Sequence, residues 1–93
     1  MSIKPLTIRQ STLFKRDVKR LLKQKADLTK LEKVVEELLT QRPLDSKYHD
    51  HPLSGNWKSY RDCHIQPDWL LIYRVQDNEL QLARTGSHAE LFE

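Results

Sequence analysis

In the first half of the chain, the hydrophobic residues recur with helical spacing. Ser11 can cap a helix of about three or four turns, because the apolar residues after it repeat at i, i+4, i+7 and i+8. Asp27 can cap a second helix, which Pro43 would end. The short connection between the two predicts an antiparallel helix hairpin. The first apolar stripe is Phe14, Val18, Leu21 and Leu22, and the second is Leu28, Leu31, Val35, Leu38 and Leu39.

In the second half of the chain, the hydrophobic residues recur at every second position. This spacing predicts strands over residues 57–65, 68–75 and 79–85. In the middle strand, Leu71 and Tyr73 point to one face, while Leu70 and Ile72 point to the other. Asp77-Asn78 suits a two-residue hairpin turn, since both residues tolerate positive φ.

A short β-prone segment at residues 5–9 adds an opening strand. The element order is therefore β, α, α, β, β, β. It predicts a single α+β domain over residues 1–93, with the helices packed on one face of a mostly antiparallel sheet. The other face of the sheet is expected to be open.

Composition limits the functional classes. The 93 residues are 38% hydrophobic and 31% charged, which is typical of one small globular domain. There is no apolar run of membrane-spanning length and no signal-peptide pattern, so we expect a cytoplasmic protein without a membrane partner. Cys63 is the single cysteine. It has no disulfide partner, and its sequence surroundings give no sign of thiolate activation.

The charge is divided unevenly along the chain. Residues 1–42 hold 11 Lys and Arg against 5 Asp and Glu, whereas residues 43–93 hold 5 against 8. Lys15, Lys19 and Lys23 form a basic ridge on the first predicted helix. This ridge favours a polyanion or an acidic partner, and a solvated helix face is the alternative explanation.

Histidines lie where the predicted strands begin and end. In an antiparallel meander, the turn between His64 and Asp68 lies at the sheet end to which the chain returns at His88. His51 can join them from the incoming loop. We therefore expect these three imidazoles and one carboxylate to converge at one edge of the sheet, where a rigid scaffold can hold catalytic groups.

Imidazoles and a carboxylate suit proton transfer near neutral pH. One such reaction, the attack of a ribose 2′-hydroxyl on the adjacent phosphate, needs a base, an acid and a cation. Arg84 and Arg61 are candidate cations. A metal site is the alternative, although His49-x-His51 is a poor ligand pair. The candidate surfaces for stacking on bases are Trp57, Tyr60, Trp69 and Phe92, of which either tryptophan could instead be a core residue.

The sequence from about Asp50 to Phe92 resembles the RelE/ParE toxin superfamily. The motifs are D-H-P-L, W-K-x-Y-R-D-x-H, P-D-W-x-L-I-Y and R-T-G-[ST]-H-x-x-L-F, in that order. They are most similar to the YafQ-type messenger-RNA interferases, the toxins of type II toxin-antitoxin pairs. The resemblance implies the RelE-like fold and a ribosome-dependent endoribonuclease that cuts mRNA in the decoding site without a metal or cofactor.

The resemblance also implies site residues, transferred position by position. The catalytic positions fall on His51, His64, Asp68 and His88, and the substrate-binding positions on Arg84, Trp69 and Phe92. His49 has no counterpart and is expected to be a solvated loop residue.

Roles for these residues follow from the same resemblance. Asp68 with either His51 or His64 would activate the 2′-hydroxyl, His88 would protonate the leaving oxygen, and Arg84 would stabilise the phosphorane charge. The expected partners are a cognate antitoxin, ribosomal RNA and, through the antitoxin only, operator DNA. The alternative is a noncatalytic ParE-like toxin that inhibits a protein such as gyrase.

Overall fold

The computed structural model describes residues 5–92 as a five-stranded sheet with three helices. The strands follow the spatial order β1-β5-β4-β3-β2, and β1 pairs parallel to β5 while the other pairs are antiparallel. The predicted α+β class is confirmed. Within residues 5–92, no helix has the length and apolar character needed to cross a membrane. The strands are β1 (Thr7–Gln10), β2 (His51–Pro52), β3 (Arg61–Gln66), β4 (Trp69–Gln76) and β5 (Glu79–Gly86); the helices are α1 (Thr12–Lys23), α2 (Leu28–Leu39) and α3 (His88–Phe92).

Both long helices begin at the predicted caps. The Ser11 hydroxyl accepts the Phe14 N–H at 2.9 Å, and the Asp27 carboxylate accepts the Thr29 N–H at 3.1 Å. These bonds satisfy amide groups that have no partner inside the helix. Helix α2 ends at Leu39, before the predicted stop at Pro43.

The apolar stripes were only partly predicted. Leu22 was placed on the buried side of α1, but its side chain is 58% exposed. Asp17 is buried in the stripe instead, at 1% exposure, because hydrogen bonds satisfy its carboxylate. In α2 the most deeply buried residue is Val34, which the predicted stripe omitted.

Two elements of the structure were not predicted, β2 and α3. They have two and five residues, too few to show a period. Strand β3 begins at Arg61 rather than at residue 57, because Gly55–Trp57 form a single 3₁₀ turn. The hairpin turn is confirmed, since Asp77 and Asn78 have φ values of 55° and 61°.

The sheet buries apolar side chains on both faces. Leu71 and Tyr73 face the helices, as predicted, and Leu70 and Ile72 face the opposite side. The prediction of an open second face is wrong, because Leu91 of α3 packs on Leu70 and Ile72. Side chains from the segment before β3 cover the rest, namely Leu53, Trp57 and Tyr60. Helix α3 is therefore anchored to the sheet, and it carries His88.

Side chains at the start of α1 and within it form hydrogen bonds with the backbone groups of β5 that lie beyond the end of β1. Pairing with β1 stops at Leu82, and the Ser11 hydroxyl then donates to the Ala83 carbonyl at 2.7 Å. Further along, the Asp17 carboxylate accepts the Thr85 N–H at 3.1 Å, and Arg20 donates to the Thr85 carbonyl at 3.0 Å. Side chains of α1 thus replace a neighbouring strand. This arrangement brings α1 close to the start of α3.

Candidate active site

The imidazoles of the chain surround His64 of β3. Its ring centroid lies 5.7 Å from that of His88, 6.3 Å from that of His51 and 5.6 Å from that of His49. The rings come from β3, α3, β2 and the turn before β2. Three of the four predicted catalytic residues therefore lie together, and the fourth, Asp68, contacts His88.

Asp68 fixes both the backbone and the ring of His88. Its Oδ1 accepts the His88 N–H at 3.0 Å and lies 2.9 Å from His88 Nδ1. The hydrogen bond from the backbone N–H is the main cause that lowers the pKa of Asp68, and the ring contact adds to it. Asp68 is thus an ionised acceptor at neutral pH, which places the proton on Nδ1 of His88.

The ring of His51 lies between two acceptors. Nδ1 is 2.7 Å from the His49 carbonyl oxygen, which can only accept, so Nδ1 carries a proton. Nε2 is 3.2 Å from Oδ1 of Asp62, a side chain that is 4% exposed. Burial raises the pKa of Asp62 despite the nearby imidazoles. Oδ1 of Asp62 has no hydrogen-bond partner among the described residues, so its close contact with Nε2 of His51 is not a hydrogen bond.

His64 is the imidazole whose protonation is most affected by its surroundings. Burial lowers its pKa, and the neighbouring His88, His49 and His51 act in the same direction, while Asp62 opposes them. At neutral pH the ring is uncharged and has a free lone pair. That is the state a general base requires.

A basic groove leads to this cluster. It has a volume of about 860 Å³, and His49, His51 and His64 are among its lining residues. The cations along the groove are Lys30 and Lys33 of α2 and Lys47, which belongs to a 3₁₀ turn at Ser46–Tyr48, before β2. Three ammonium groups beside imidazoles suit a polyanionic chain that passes through the groove. The predicted basic ridge on α1 is not among the groove-lining residues.

Two of the residues predicted to contact the substrate are largely buried in the structure. Trp69 is 6% exposed within the core on the helix side, and its indole N–H donates to the Thr85 hydroxyl at 2.9 Å, so no ring face is open to a base. Arg84 donates two hydrogen bonds to Asp17, at 2.7 and 3.1 Å. These bonds occupy Nε and Nη2, and 19% of the Arg84 side chain is exposed, so its phosphate contact stays a prediction.

The other two predicted substrate contacts are accessible. Arg61 forms an ion pair with Asp50 at 3.2 Å, and its side chain remains 43% exposed. Phe92 is 43% exposed, and its ring centroid lies 6.4 Å from that of His88. Phe92 therefore offers an aromatic surface beside the imidazoles.

Sequence reasoning missed Asp62, His49 and the groove lysines. Asp62 lies two positions before His64 in the same strand, so period-two alternation already places the two side chains on one face. Lys30 and Lys33 are three residues apart and share a face of α2. The position of His49 had no comparable signal, because it depends on a left-handed backbone at φ 49°.

The described residues provide neither a reactive thiol nor a cluster of metal ligands. Cys63 is completely buried, and burial raises the pKa of its thiol, which stays protonated. Within residues 5–92, no group of three or more His, Cys, Asp or Glu side chains is arranged to hold a metal ion.

Comparisons with known proteins show which family the chain is similar to. Residues 6–93 match the model of a family described as the bacterial toxin of type II toxin-antitoxin systems, YafQ. The chain is 45% identical to the mRNA interferase toxin YafQ of Escherichia coli K12 over 86 residues, which cover 91% of this chain and 94% of that protein. It is 40% identical to a putative toxin YafQ of Haemophilus influenzae, over 94% of this chain and 92% of that protein.

A solved structure is similar over nearly the whole chain. The crystal structure of the Escherichia coli DinJ-YafQ toxin-antitoxin complex superimposes with a TM-score of 0.88 at 43% identity, covering 98% of this chain and 100% of that chain. The similarity includes the first 45 residues, for which the sequence motifs gave little information.

Proposed function

The chain belongs to the YafQ family of bacterial toxins of type II toxin-antitoxin systems, and from this premise we propose that it is a ribosome-dependent mRNA endoribonuclease. The observation that carries the proposal is the group of imidazoles around His64, with an uncharged ring at the centre and the basic groove beside it. Cleavage would use no metal and no cofactor.

The proposed chemistry is transfer of the phosphate to the adjacent 2′-hydroxyl. His64 removes the 2′-hydroxyl proton as the oxygen attacks phosphorus, and the bond from phosphorus to the 5′-oxygen breaks. His88 enters the step as an imidazolium: Asp68 holds the Nδ1 proton, and Nε2 gives its proton to the leaving 5′-oxygen. The products are a 2′,3′-cyclic phosphate and a free 5′-hydroxyl, so protons and bonds balance.

The other residues of the site support this step. The ring of His51 contacts the Asp62 carboxylate and lies beside the ring of His64. The negative charge that develops on the non-bridging oxygens of the phosphorane would face the cations of the groove, of which Lys47 belongs to the same turn as His49. Phe92 offers a stacking surface for a base displaced from the codon.

The proposed partners follow from the family and the charge distribution. The relative from Escherichia coli forms a toxin-antitoxin complex with DinJ. A cognate antitoxin would likewise bind and neutralise this toxin in the cytoplasm, and the toxin would reach operator DNA only through the antitoxin. The basic ridge of α1, whose Lys15, Lys19 and Lys23 are exposed, would contact ribosomal RNA. Such binding weakens with added salt.

Expression of the toxin in bacteria distinguishes the proposed function from a gyrase poison. We expect growth arrest with mRNA cut inside reading frames, mapped by primer extension, and intact DNA. Purified toxin should cut mRNA on programmed ribosomes and leave the same free mRNA largely intact. Intact mRNA together with DNA breakage would instead support the ParE-like alternative.

The protonation of His64 makes the cleavage rate depend on pH. Only the uncharged ring accepts a proton, and burial holds its pKa below the ordinary value of 6.5. The single-turnover rate should therefore fall on acidification with a midpoint below 6.5. The His64→Asn variant should be slow and lack this acid limb. An acid midpoint above 6.5 in the wild-type protein would contradict the role of His64 as the base.

A further inference from the structure

Helix α3 needs external support if it is to hold a reacting group still. It has five residues, and His88 is the first of them. Helices this short are unstable by themselves. Leu91 fixes the middle of α3 on the sheet, but this apolar contact does not set the orientation of the first turn, where His88 meets Asp68.

A capping box orders that first turn. The Glu90 carboxylate accepts the Ser87 N–H at 2.9 Å through Oε1, and the Ser87 hydroxyl accepts the Glu90 N–H at 3.2 Å. The hydrogen bond from the Ser87 N–H is the main cause that lowers the pKa of Glu90. Glu90 is therefore ionised and leaves Oε2 for another partner.

The nearer partner of Oε2 is Arg20 of α1, and Gln24 also donates to it at 3.4 Å. Nε of Arg20 lies 2.6 Å from Oε2 of Glu90, while Nη1 donates to Asp17 at 2.8 Å and Nη2 donates to the Thr85 carbonyl at 3.0 Å. Two further contacts, with Asp17 and with the Thr85 carbonyl, therefore hold the Arg20 guanidinium in position beside Glu90. Only 31% of its side chain and 28% of that of Glu90 are exposed, so the pair is partly shielded from solvent.

Gly86 provides the space in which the pair meets. A Cβ at this position would lie 2.5 Å from Nη2 of Arg20 and 2.9 Å from Oε1 of Glu90. Any larger residue would push the two side chains away from their present positions. Gly86, Arg20 and Glu90 are therefore packed together in space at the start of α3, next to His88.

We propose that Arg20 and Glu90 are positioning residues for RNA cleavage: their ion pair ties α1 to the first turn of α3 and holds the His88 ring against Asp68 and beside His64. The proposal rests on the proposed function for its effect on rate. Neither residue touches the reacting atoms. Because a displacement of about 1 Å can cost two orders of magnitude in rate, a loose His88 should slow the chemical step.

The Glu90→Gln variant isolates the ion pair. The amide oxygen can still accept the Ser87 N–H, so the capping box remains, but the negative charge opposite Arg20 is lost. We expect the single-turnover rate on programmed ribosomes to fall about 10-fold or more. The toxin concentration at half-maximal rate should stay within about twofold, since Glu90 is not part of the RNA groove.

A second readout follows the contact itself. Asp68 has a lowered pKa because it accepts the His88 N–H and contacts its ring. In the Glu90→Gln variant we expect the carboxyl titration of Asp68, followed by NMR, to move up towards the ordinary value. A residue that contributes only to stability would not change this titration in a protein that remains folded, as checked by thermal unfolding.

The matched control is Glu36→Ala on the exposed side of α2, which should change neither readout. An unchanged rate in Glu90→Gln would overturn the proposal, and so would a lower rate without a change in the Asp68 titration. If the wild-type chain did not cut mRNA at all, the proposed function would fail. The Asp68 titration would still decide whether Arg20 and Glu90 hold His88 in place.

Discussion

The His88→Ala variant is expected to cut mRNA about 10²- to 10⁴-fold more slowly than the wild-type protein, the usual contribution of one general acid. The ring is exposed at the start of α3, and Asp68 fixes its Nδ1. Without it, no imidazole beside His64 is held by an ionised carboxylate in this way. The measurement is the single-turnover cleavage rate on ribosomes that carry a defined mRNA.

Affinity and stability should change little in His88→Ala, because the side chain is exposed and the anchor of α3 is Leu91. The control variant is Gln76→Ala, an exposed change at the opposite end of the β4-β5 hairpin. A cleavage rate within about threefold of the wild-type rate would remove His88 from the proton-transfer step, since general acids contribute far more than this.

The fold was largely predictable because its long elements have local signals. Ser11 and Asp27 cap the helices through side-chain hydrogen bonds that depend only on neighbouring residues. The turn at Asp77 and Asn78 needs only two residues with positive φ. In α3 the local signal, the Ser87 and Glu90 capping box, was overlooked, and five residues are too few for a hydrophobic period. Its packing through Leu91 depends on residues distant in sequence.

The candidate site was predictable in part. The antiparallel meander necessarily returns the chain to the hairpin end of His64 and Asp68, and the structure brings His88 to that place. The environments of Trp69 and Arg84 were not predictable in the same way. Both depend on how α1 packs along β5. The Thr85 hydroxyl accepts the hydrogen bond of the Trp69 indole, and the Asp17 carboxylate accepts those of Arg84.

Asp17 shows how a polar residue that the predicted apolar stripe left out can support the fold. Sequence periodicity placed Leu22 on the buried side of α1. In the structure Leu22 is exposed, and Asp17 is buried. The carboxylate accepts hydrogen bonds from Arg84, Arg20 and the Thr85 N–H. It thereby connects α1 to the unpaired edge of β5 and, through Arg20, to the start of α3.

The Asp17→Ala variant is therefore expected to lose about 3–5 kcal/mol of unfolding free energy, as when one partner of a buried ion pair is removed. It leaves the largely buried guanidinium of Arg84 without its carboxylate and the Thr85 N–H without an acceptor. Urea unfolding followed by circular dichroism measures the loss. Glu36→Ala, an exposed change of similar chemistry, should stay within about 0.5 kcal/mol of the wild-type value.

The contribution of Asp17 should also depend on pH. Burial alone would raise the pKa of this carboxyl, but the hydrogen bonds from Arg84, Thr85 and Arg20 outweigh burial and lower it. A lowered pKa in the folded state means that the stabilisation is complete above the ordinary value of 3.8 and is lost as the pH falls through the folded-state value. The stability difference between the wild-type protein and Asp17→Asn should therefore shrink below a pH of about 4. A difference that stays constant or grows on acidification would show that the charge of Asp17 does not stabilise the fold.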